Sequence, residues 1–395
     1  MESFLVDLVR IPSVNGLNDE SRVAHRIVKE ASRLGLESKL IAKAPDRPNV
    51  VVTVGKGPPK FLFVAHTDTV PVGDETKWTS PPFDGQISNG KLISRGACDN
   101  KAGIAVALYT LTKLKDLLPD GYNGSIQFTA VVDEESGASS ELGLKHLLQE
   151  RIVGGPECCG SIYTYLGRVV TIGHRGVLRF WIDVMGTPVH TGSSDWANGR
   201  RGASAVMALA EILCKIEALQ WEKKTVPGFE KTPLTVTPGT LIEGGEGEGI
   251  VPERARALVD VRVPPEHDFD AIMDRMDGLI DGVIKARNGG DSAKLSADVV
   301  MKNRIPPYCI APDHALVLAC KEAIEGVTGQ VPEVRGCGPA NEAYMLGEAG
   351  IPCIAGMGPI GGNAHGIDEF VMCESLEETV EIYTRLVKQT LKNFM

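Results

Sequence analysis

Residues 61–68 read FLFVAHTD, and this stretch predicts a buried strand that ends at His66 and Asp68. An imidazole at the end of a strand is a good zinc ligand, and a carboxylate two residues later can orient the ring by a hydrogen bond. A lone H-x-D pattern is nevertheless a weak signal. It indicates a metal site only if other ligands follow along the chain.

Helices and strands alternate around this stretch. Helices are predicted at 21–34, 104–117 and 141–148, and buried strands at 49–55, 61–65 and 126–132. This alternation predicts an α/β fold with a mostly parallel sheet sandwiched by helices. Open sheets of this kind place their sites at the carboxyl ends of the strands, which is where His66 lies.

The middle of the chain has a different pattern. Strands are predicted at 177–185, 234–241, 255–263 and 294–301, with helices at 203–216 and 269–286, which together form an α+β unit of four strands and two helices. After Pro306 the pattern returns to helix, strand and a Gly-rich end at 356–362. We therefore predict a catalytic metal-binding domain, 1–176 with 304–395, interrupted by an inserted domain, 177–303.

Three further segments contain polar groups at predicted strand or helix ends. They are RGACDNKAG with Asp99, VVDEESG with Glu134 and Glu135, and GPIGGNAHGIDE with His365. Taken alone, each has an ordinary explanation as a helix cap, a solvated acidic turn or a loop histidine. Adjacent acids raise one another's pKa unless a cation is near, so the DEE run favours a metal once the other ligands are counted.

The ordered set of histidines and acids, with the segments GACDNKAG, DEESG, GIPCIAGMGPIGGNAH and DEFV, resembles a known family. It is the zinc-dependent family that includes aminoacylase, acetylornithine deacetylase, succinyl-diaminopimelate desuccinylase and glutamate carboxypeptidase. The resemblance extends over nearly the whole chain, from IPSV at 11–14 to DEFV at 368–371.

The resemblance implies a site for two zinc ions. Asp99 would bridge them, His66 would bind the first, and Glu135 and His365 would bind the second. The Asp99–Asn100 peptide would be cis. One or two zinc ions per chain are the implied cofactor, with cobalt or manganese as alternatives.

The resemblance also implies a reaction, the hydrolysis of an amide bond of an N-acyl amino acid or a small peptide. Glu134 would be the general base that accepts a proton from a zinc-activated water and passes it to the leaving nitrogen. Asp68 would orient His66.

Two residues of the predicted inserted domain match substrate-binding positions of the family. His190, in GTPVHTGS, would reach across a homodimer to the substrate carbonyl in the partner's site, and Arg262, in DVRVPP, would hold the substrate carboxylate. The alternatives are a loop histidine without a role and a strand arginine in a surface ion pair.

The sequence departs from the family at the first metal. Relatives have a further acid shortly before an H-R-G segment, but here residues 163–168 read YTYLGR, with Tyr163 or Thr164 at the acid's place. Glu157 lies too early, and the adjacent Cys158 and Cys159 are expected to be structural. Because His66 and Asp99 alone cannot complete a four-coordinate zinc, the first metal is absent, weak or held by another ligand.

Two substitutions near the substrate pocket accompany this change. Gly249 replaces a usual asparagine, and GCGPANE at 336–342 replaces a Gly-Gly-Thr-Asp segment. They leave three hypotheses open: an active amidohydrolase, a non-catalytic binding homologue, and a one-metal relative with a different reaction such as amide formation. The retained Glu134 favours hydrolysis.

Composition excludes several other classes. The net charge of −10, with acids and bases interspersed, argues against a nucleic-acid-binding protein, and no apolar run is long enough to span a membrane. Nine scattered cysteines without a C-x-x-C pair indicate reduced thiols, and the N terminus does not resemble a signal peptide. We therefore expect a cytoplasmic protein.

Overall fold

The computed structural model describes residues 1–119, 121–137, 139–222, 224–289 and 294–392. The chain forms two compact units, Met1–His174 with Tyr308–Met395, and Arg175–Pro307. Its α-helices are α1 Glu2–Val9, α2 Ser21–Arg33, α3 Ala102–Leu117, α4 Leu144–Gln149, α5 Ser194–Ala197, α6 Ala205–Glu217, α7 Phe269–Arg287, α8 Ala315–Thr328, α9 Ala343–Glu348 and α10 Glu374–Lys392.

The strands of the first unit are β1 Glu37–Ala44, β2 Arg47–His66, β3 Gln86–Ser88, β4 Lys91–Ile93, β5 Asn123–Val131, β6 Gly160–Thr164, β7 Val170–His174, β12 Tyr308–Cys309, β13 Val334–Cys337, β14 Cys353–Met357, β15 Gly361–Gly362 and β16 Phe370–Met372. Those of the second unit are β8 Gly176–Met185, β9 Thr235–Gly244, β10 Arg254–Val263 and β11 Ser296–Ile305.

The central sheet of the first unit has five strands in the order β1-β2-β6-β14, with β5 also paired to β2. The partners of 50–54 run down from Ala130 to Ile126, whereas those of 61–66 run up from Ile126 to Val131. The chain therefore reverses direction at 55–60, and β5 lies between the two halves of β2. These halves correspond to the two strands predicted at 49–55 and 61–65.

Helices cover both faces of this sheet. Phe61 and Phe63 belong to the core formed with α1, α2, α3, α8 and α10, whereas the alternate residues Leu62 and Val64 belong to a second core with α4 and α9. Successive side chains of a strand point to opposite faces, so a continuous apolar run is required here. The α/β class, with a sheet sandwiched by helices, is confirmed.

The second unit is a four-stranded sheet in the order β11-β8-β10-β9, in which all neighbours are antiparallel. Its core joins the inward residues of β8 and β10 to α6 and α7. The predicted α+β architecture is therefore confirmed, with the short helix α5 as an addition.

Asp268 caps the N terminus of α7 by accepting hydrogen bonds from the N–H groups of Asp270 and Ala271, at 2.8 and 3.4 Å. Replacing Asp268 with Ala leaves both groups without this acceptor, so we expect the free energy of unfolding to fall by about 1 kcal/mol. The measurement is the urea midpoint followed by circular dichroism. Asp274→Ala, an exposed position of the same helix, should leave the midpoint unchanged, and an equal effect of both changes would contradict the cap.

All nine cysteines are thiols outside disulfide bonds, in agreement with the reduced thiols expected from the sequence. Within the described part of the chain, no helix has both the length and the hydropathy needed to cross a membrane.

Candidate metal centre

The candidate site lies at one edge of the central sheet. Four strands that run in the same direction end there: β2 at His66, β5 at Val131, β6 at Thr164 and β14 at Met357. The acidic segment 133–135 follows β5, and the loop with His365 follows β14. Parallel strands thus bring residues together that are about 300 positions apart in sequence.

Asp99 lies between two histidines. Its Oδ1 is 2.9 Å from His66 Nε2, and its Oδ2 is 3.2 Å from His365 Nε2. The side chain of His66 is buried, whereas that of His365 is 53% exposed, so solvent reaches the site from the His365 side. A carboxylate with one imidazole at each oxygen is the arrangement expected of a bridging ligand.

Glu134 and Glu135 complete two overlapping clusters of potential ligands. The ligand atoms of His66, Glu134 and Glu135 lie within 4.8 Å of one another, and so do those of Asp99, Glu135 and His365. Glu135 Oε1 is 3.0 Å from His365 Nε2. The second cluster contains the three residues that the family resemblance assigns to the second metal.

Asp68 connects the segment with Glu134 and Glu135 to the end of β2 with His66. Its carboxylate accepts hydrogen bonds from the N–H groups of Glu134 and Glu135, at 3.3 and 2.9 Å, and from Asn15 Nδ2 at 2.5 Å. His66 Nδ1 donates to the backbone oxygen of Asp68 at 2.9 Å and lies 3.5 Å from Asp68 Oδ1. This contact places a proton on Nδ1 and leaves Nε2 as the nitrogen that can bind a metal.

The electrostatics of the site favour a cation. Burial raises the pKa of Glu134 well above its usual range; His66 opposes this, and the carboxylates of Glu135, Glu342 and Asp99 add to it. The carboxylates of Asp99 and Glu135 in turn raise the pKa of His365 to about 10. The carboxylates of the site repel one another, and protonated imidazoles offset part of this repulsion. A divalent metal ion would stabilise the ionised form of such a group of acids.

The donors fit a metal of the zinc type. Imidazole nitrogens and carboxylate oxygens are ligands that Zn²⁺, Co²⁺ and Mn²⁺ accept in proteins. In the assignment that the resemblance implies, His66 and Asp99 would offer two donors to a first ion, and Asp99, Glu135 and His365 would offer three to a second. With this assignment the second set would be complete for a catalytic zinc, whereas the first would be one ligand short.

The turn Ala97–Lys101 presents Asp99 to the site. The Asp99–Asn100 peptide is cis, as the resemblance implies. Asn100 is fixed by Thr164, whose backbone oxygen accepts from Asn100 Nδ2 at 2.6 Å and whose Oγ1 donates to Asn100 Oδ1 at 3.0 Å. Thr164 Oγ1 also lies 3.0 Å from the backbone oxygen of Val64, so its hydroxyl is committed to the framework and is not a replacement ligand.

Glu369 anchors the same turn, and the sequence analysis assigned it no role. Its carboxylate accepts from the N–H groups of Gly96, Cys98 and Asp99, at 2.9–3.0 Å, and pairs with the buried Arg95 at 2.6 Å. Arg95 Nη2 donates to the backbone oxygen of His365 at 3.2 Å. The pair therefore connects the Asp99 turn to the His365 loop. Glu369 lies in the quoted DEFV segment, but nothing local to that segment indicates this contact.

Tyr163, one of the two residues predicted at the place of the missing family acid, is a buried phenol. Tyr163 is 1% exposed, and its hydroxyl has no hydrogen-bond partner of regular geometry. Burial raises the pKa of this phenol well above 10, with a further contribution from Glu134 and Glu342, so it is neutral. Cys158 and Cys159 lie before β6, at its opposite end, and donate to the backbone oxygens of Gly160 and Lys60, which agrees with a structural role.

Glu342, from the GCGPANE segment, is a further acid at this site. It is fully buried before α9, and neither of its carboxylate oxygens has a hydrogen-bond partner of regular geometry. Burial raises its pKa to about 7; the hydroxyls of Ser140 and Tyr163 and the ring of His66 oppose this rise. The sequence analysis noted the unusual segment but did not single out Glu342.

His190 and Arg262, the predicted substrate-binding residues, lie in the second unit. His190 Nδ1 accepts from the N–H of Gly192 at 3.0 Å. Arg262 Nε donates to Asp260 Oδ1 at 2.7 Å, an ion pair that the sequence analysis named as the alternative to a substrate contact. Gly249, next in space to His190, has φ of +83°, which both glycine and asparagine tolerate. The roles of His190 and Arg262 stay predictions.

Comparison with known proteins agrees with this architecture. The model of Peptidase family M20/M25/M40 matches residues 62–389. Succinyl-diaminopimelate desuccinylase of Caulobacter vibrioides is 28% identical over 397 residues, covering 98% of this chain and 95% of the relative.

Solved structures share the fold. Aminopeptidase PepT from Bacillus cereus superimposes with a TM-score of 0.76 at 20% identity, covering 99% of both chains. The YXEP protein of Bacillus subtilis, described as a dinuclear metal-binding peptidase, has a TM-score of 0.70 at 15% identity, covering 99% of this chain and 96% of the other. The chain therefore belongs to peptidase family M20/M25/M40, and it is a metal-dependent hydrolase of C–N amide bonds.

Proposed function

We propose that the protein hydrolyses the amide bond of an N-acyl amino acid or a small peptide, with Glu134 as the general base. The observation that supports this most is the pair of ligand clusters, His66–Glu134–Glu135 and Asp99–Glu135–His365, at the edge of the sheet. The names of the relatives support the substrate class, since they include desuccinylases, an aminopeptidase and a tripeptidase.

In this proposal Asp99 would be shared by the two metal positions, His66 would bind at the first, and Glu135 and His365 would bind at the second. Zinc, or cobalt or manganese in its place, would acidify a water molecule and polarise the substrate carbonyl. Asp68 keeps the His66 ring oriented through the hydrogen bonds described above.

Glu134 moves the proton. Its carboxylate lies in the cluster with His66 and Glu135, is only partly buried, and has a raised pKa. A carboxylate with a raised pKa is a better base toward water, and once protonated it can donate to the leaving nitrogen. The same residue thus serves both halves of the reaction.

The second unit supplies the remaining functions in the proposal. We assign it homodimer formation, with His190 stabilising the oxyanion in the partner's site and Arg262 binding the substrate carboxylate. The ion pair of Arg262 with Asp260 is compatible with this, because an arginine has further donors besides Nε.

Tyr163 favours a second candidate, a one-metal enzyme with a different reaction such as amide formation, because a buried neutral phenol lies where an acid was expected. The two candidates differ in the metal count of an active preparation. They also differ in products. The hydrolase releases a free amine from N-succinyl or N-acetyl amino acids or from di- and tripeptides, whereas an enzyme with a different reaction would not.

Removal of the metal tests the proposal directly. Dialysis against a chelator should lower amine release from the responding substrate at least 100-fold, because no residue of the site can replace the metal as a Lewis acid. Addition of Zn²⁺, Co²⁺ or Mn²⁺ should restore the rate, whereas the same treatment without metal should not. Full activity in chelated protein, verified to be metal-free by mass spectrometry, would contradict a metal-dependent reaction.

A further inference from the structure

We propose that Arg47 is a positioning residue for the reaction, because it fixes the segment that contains Glu134 and Glu135. This inference rests on the proposed function, in which Glu134 is the general base and Glu135 binds the second metal. Arg47 is the first residue of β2, and it acts through Asp133, the residue that precedes Glu134.

The first argument is the backbone conformation of Asp133. Its φ is +72°, in the left-handed region that residues other than glycine adopt only when the surrounding contacts hold them there. Glu134 and Glu135 follow directly in the chain. A different φ at Asp133 would therefore redirect both carboxylates away from the metal positions.

The second argument is the set of contacts that hold Asp133. Arg47 Nη1 donates to Asp133 Oδ1 at 3.4 Å, and the N–H of Leu142 donates to Asp133 Oδ2 at 3.2 Å. Ser136 Oγ donates to the backbone oxygen of Asp133 at 2.8 Å. Ser136 and Leu142 belong to the loop that follows Asp133, whereas Arg47 belongs to the central sheet. Arg47 thus attaches the Asp133 side chain to the sheet.

The third argument is that Arg47 is itself held in place. Its Nε donates to Oε1 of the fully buried Glu20 at 2.6 Å, and Glu20 Oε2 lies 3.4 Å from Thr67 Oγ1. Thr67 directly follows His66 in the chain. Polar contacts therefore extend from Thr67 through Glu20 and Arg47 to Asp133, and they connect the two segments that contain the proposed base and ligands.

An arginine suits this position because its planar guanidinium has several donors in fixed directions. Nε contacts Glu20 and Nη1 contacts Asp133, whose side chains are 0% and 10% exposed, so one cation serves two carboxylates that are largely removed from water. A lysine has a single nitrogen and could not keep both contacts at this geometry. Without Arg47, Asp133 would be an unpaired acid beside Glu134 and Glu135, and repulsion would favour another conformation of the segment.

The test compares Arg47→Met with a matched control, Arg26→Met. Arg26 also contacts two carboxylates, those of Asp7 and Glu30, at 3.0 Å each, and its side chain is 18% exposed, against 15% for Arg47. Its partners belong to α1 and α2 and not to the site. Both changes take a guanidinium away from two carboxylates, so both should lower the thermal midpoint of the chelated protein.

The two variants should differ in the properties of the site. Only Arg47→Met should lower kcat of metal-dependent amine release, by about 10–100-fold with KM nearly unchanged, because the base is displaced while the substrate-binding residues are not. Only Arg47→Met should also weaken the binding of Co²⁺, followed by its absorption spectrum, by about 10–100-fold. A role in stability alone would change neither quantity in the folded protein.

A double change tests whether Arg47 acts through Asp133. Asp133→Asn keeps the shape of the side chain, tolerates the left-handed conformation and removes the charge. In the Arg47→Met background it should lower kcat no further, because the contact that both residues make is already lost. Arg47→Lys keeps the charge and the pair with Glu20, so it should fold and still show a reduced kcat.

Several outcomes would overturn the assignment. They are wild-type kcat and Co²⁺ affinity in folded Arg47→Met, equal losses in Arg26→Met, and additive effects of the double change. If Arg47→Met does not fold, wild-type kcat and Co²⁺ affinity in Arg47→Lys would overturn it instead. Absence of metal-dependent amine release in the wild type would refute the proposed function itself, and the Co²⁺ affinities would then still decide whether Arg47 positions Glu135.

Discussion

Replacement of Glu134 with Gln is expected to lower kcat by about 10²–10⁴-fold, the usual contribution of a general acid–base group. Glutamine has nearly the same shape as glutamate, but its amide cannot accept the proton of the attacking water. The proposed function assigns this step to Glu134, whose pKa is raised and which lies in the cluster with His66 and Glu135. The measurement is the steady-state rate of amine release from the substrate that responds to metal.

The metal content of the variants distinguishes a residue that acts as a general base from one that binds the metal. If Glu134 acts on the proton, Glu134→Gln should retain the Zn²⁺ count of the wild type, while Glu135→Gln should lose metal together with activity. Glu141→Gln, an exposed acid in the segment that follows, should change neither quantity. Unchanged kcat in Glu134→Gln, or a loss of metal that accounts for the whole effect, would refute the assigned role.

The fold was predictable where hydrophobic periodicity is strong. The helix predicted at 269–286 is α7 Phe269–Arg287, and the strands of the second unit were found within a few residues. The cores of both units consist of the apolar faces that the pattern indicates. Side chains that pack against a core at regular spacing leave a signal in sequence that needs no long-range information.

The strands and helix ends that were not predicted correctly lack this hydrophobic periodicity. β6 reads GSIYT, and its two polar side chains are buried because each has a remote partner: Ser161 Oγ donates to the backbone oxygen of Pro352, and Thr164 Oγ1 donates to Asn100 Oδ1. These partners are remote in sequence, so the composition of the segment alone does not indicate a core strand. The helix predicted at 141–148 begins instead at Leu144, because Ser140 Oγ accepts from the N–H of Leu144 and the intervening residues form a turn.

The residues of the candidate site also fall into two groups, those that were predictable from the sequence and those that were not. Residues in recognisable segments, such as His66, Asp99 and His365, could be chosen from the sequence, and the structure brings them together. Glu369 could not, because its role depends on contacts with segments far away in the chain. A family pattern names the donors, but the groups that hold a donor in place become visible only in three dimensions.

Glu369→Ala is expected to lower the free energy of unfolding of the metal-free protein by about 3–5 kcal/mol. The buried pair with Arg95 does not by itself stabilise the fold, since burial and the nearby Asp99 raise the pKa of Glu369. The loss arises from the groups left behind: a guanidinium that is 1% exposed and three buried N–H groups of the Asp99 turn. Each of these would be without its present acceptor.

The measurement is the thermal midpoint and the urea midpoint of chelated protein, so that loss of metal does not contribute to the difference. About 2 °C per kcal/mol for a unit of more than 250 residues gives a decrease of roughly 6–10 °C. Glu369→Gln keeps one acceptor oxygen and the shape of the side chain, so its effect should be smaller than that of Ala. Glu374→Gln, exposed at the start of α10, should leave both midpoints unchanged. A decrease in Glu369→Ala no larger than in Glu374→Gln would show that the turn is held by other contacts, and the Asp99 carboxylate would then be positioned without Glu369.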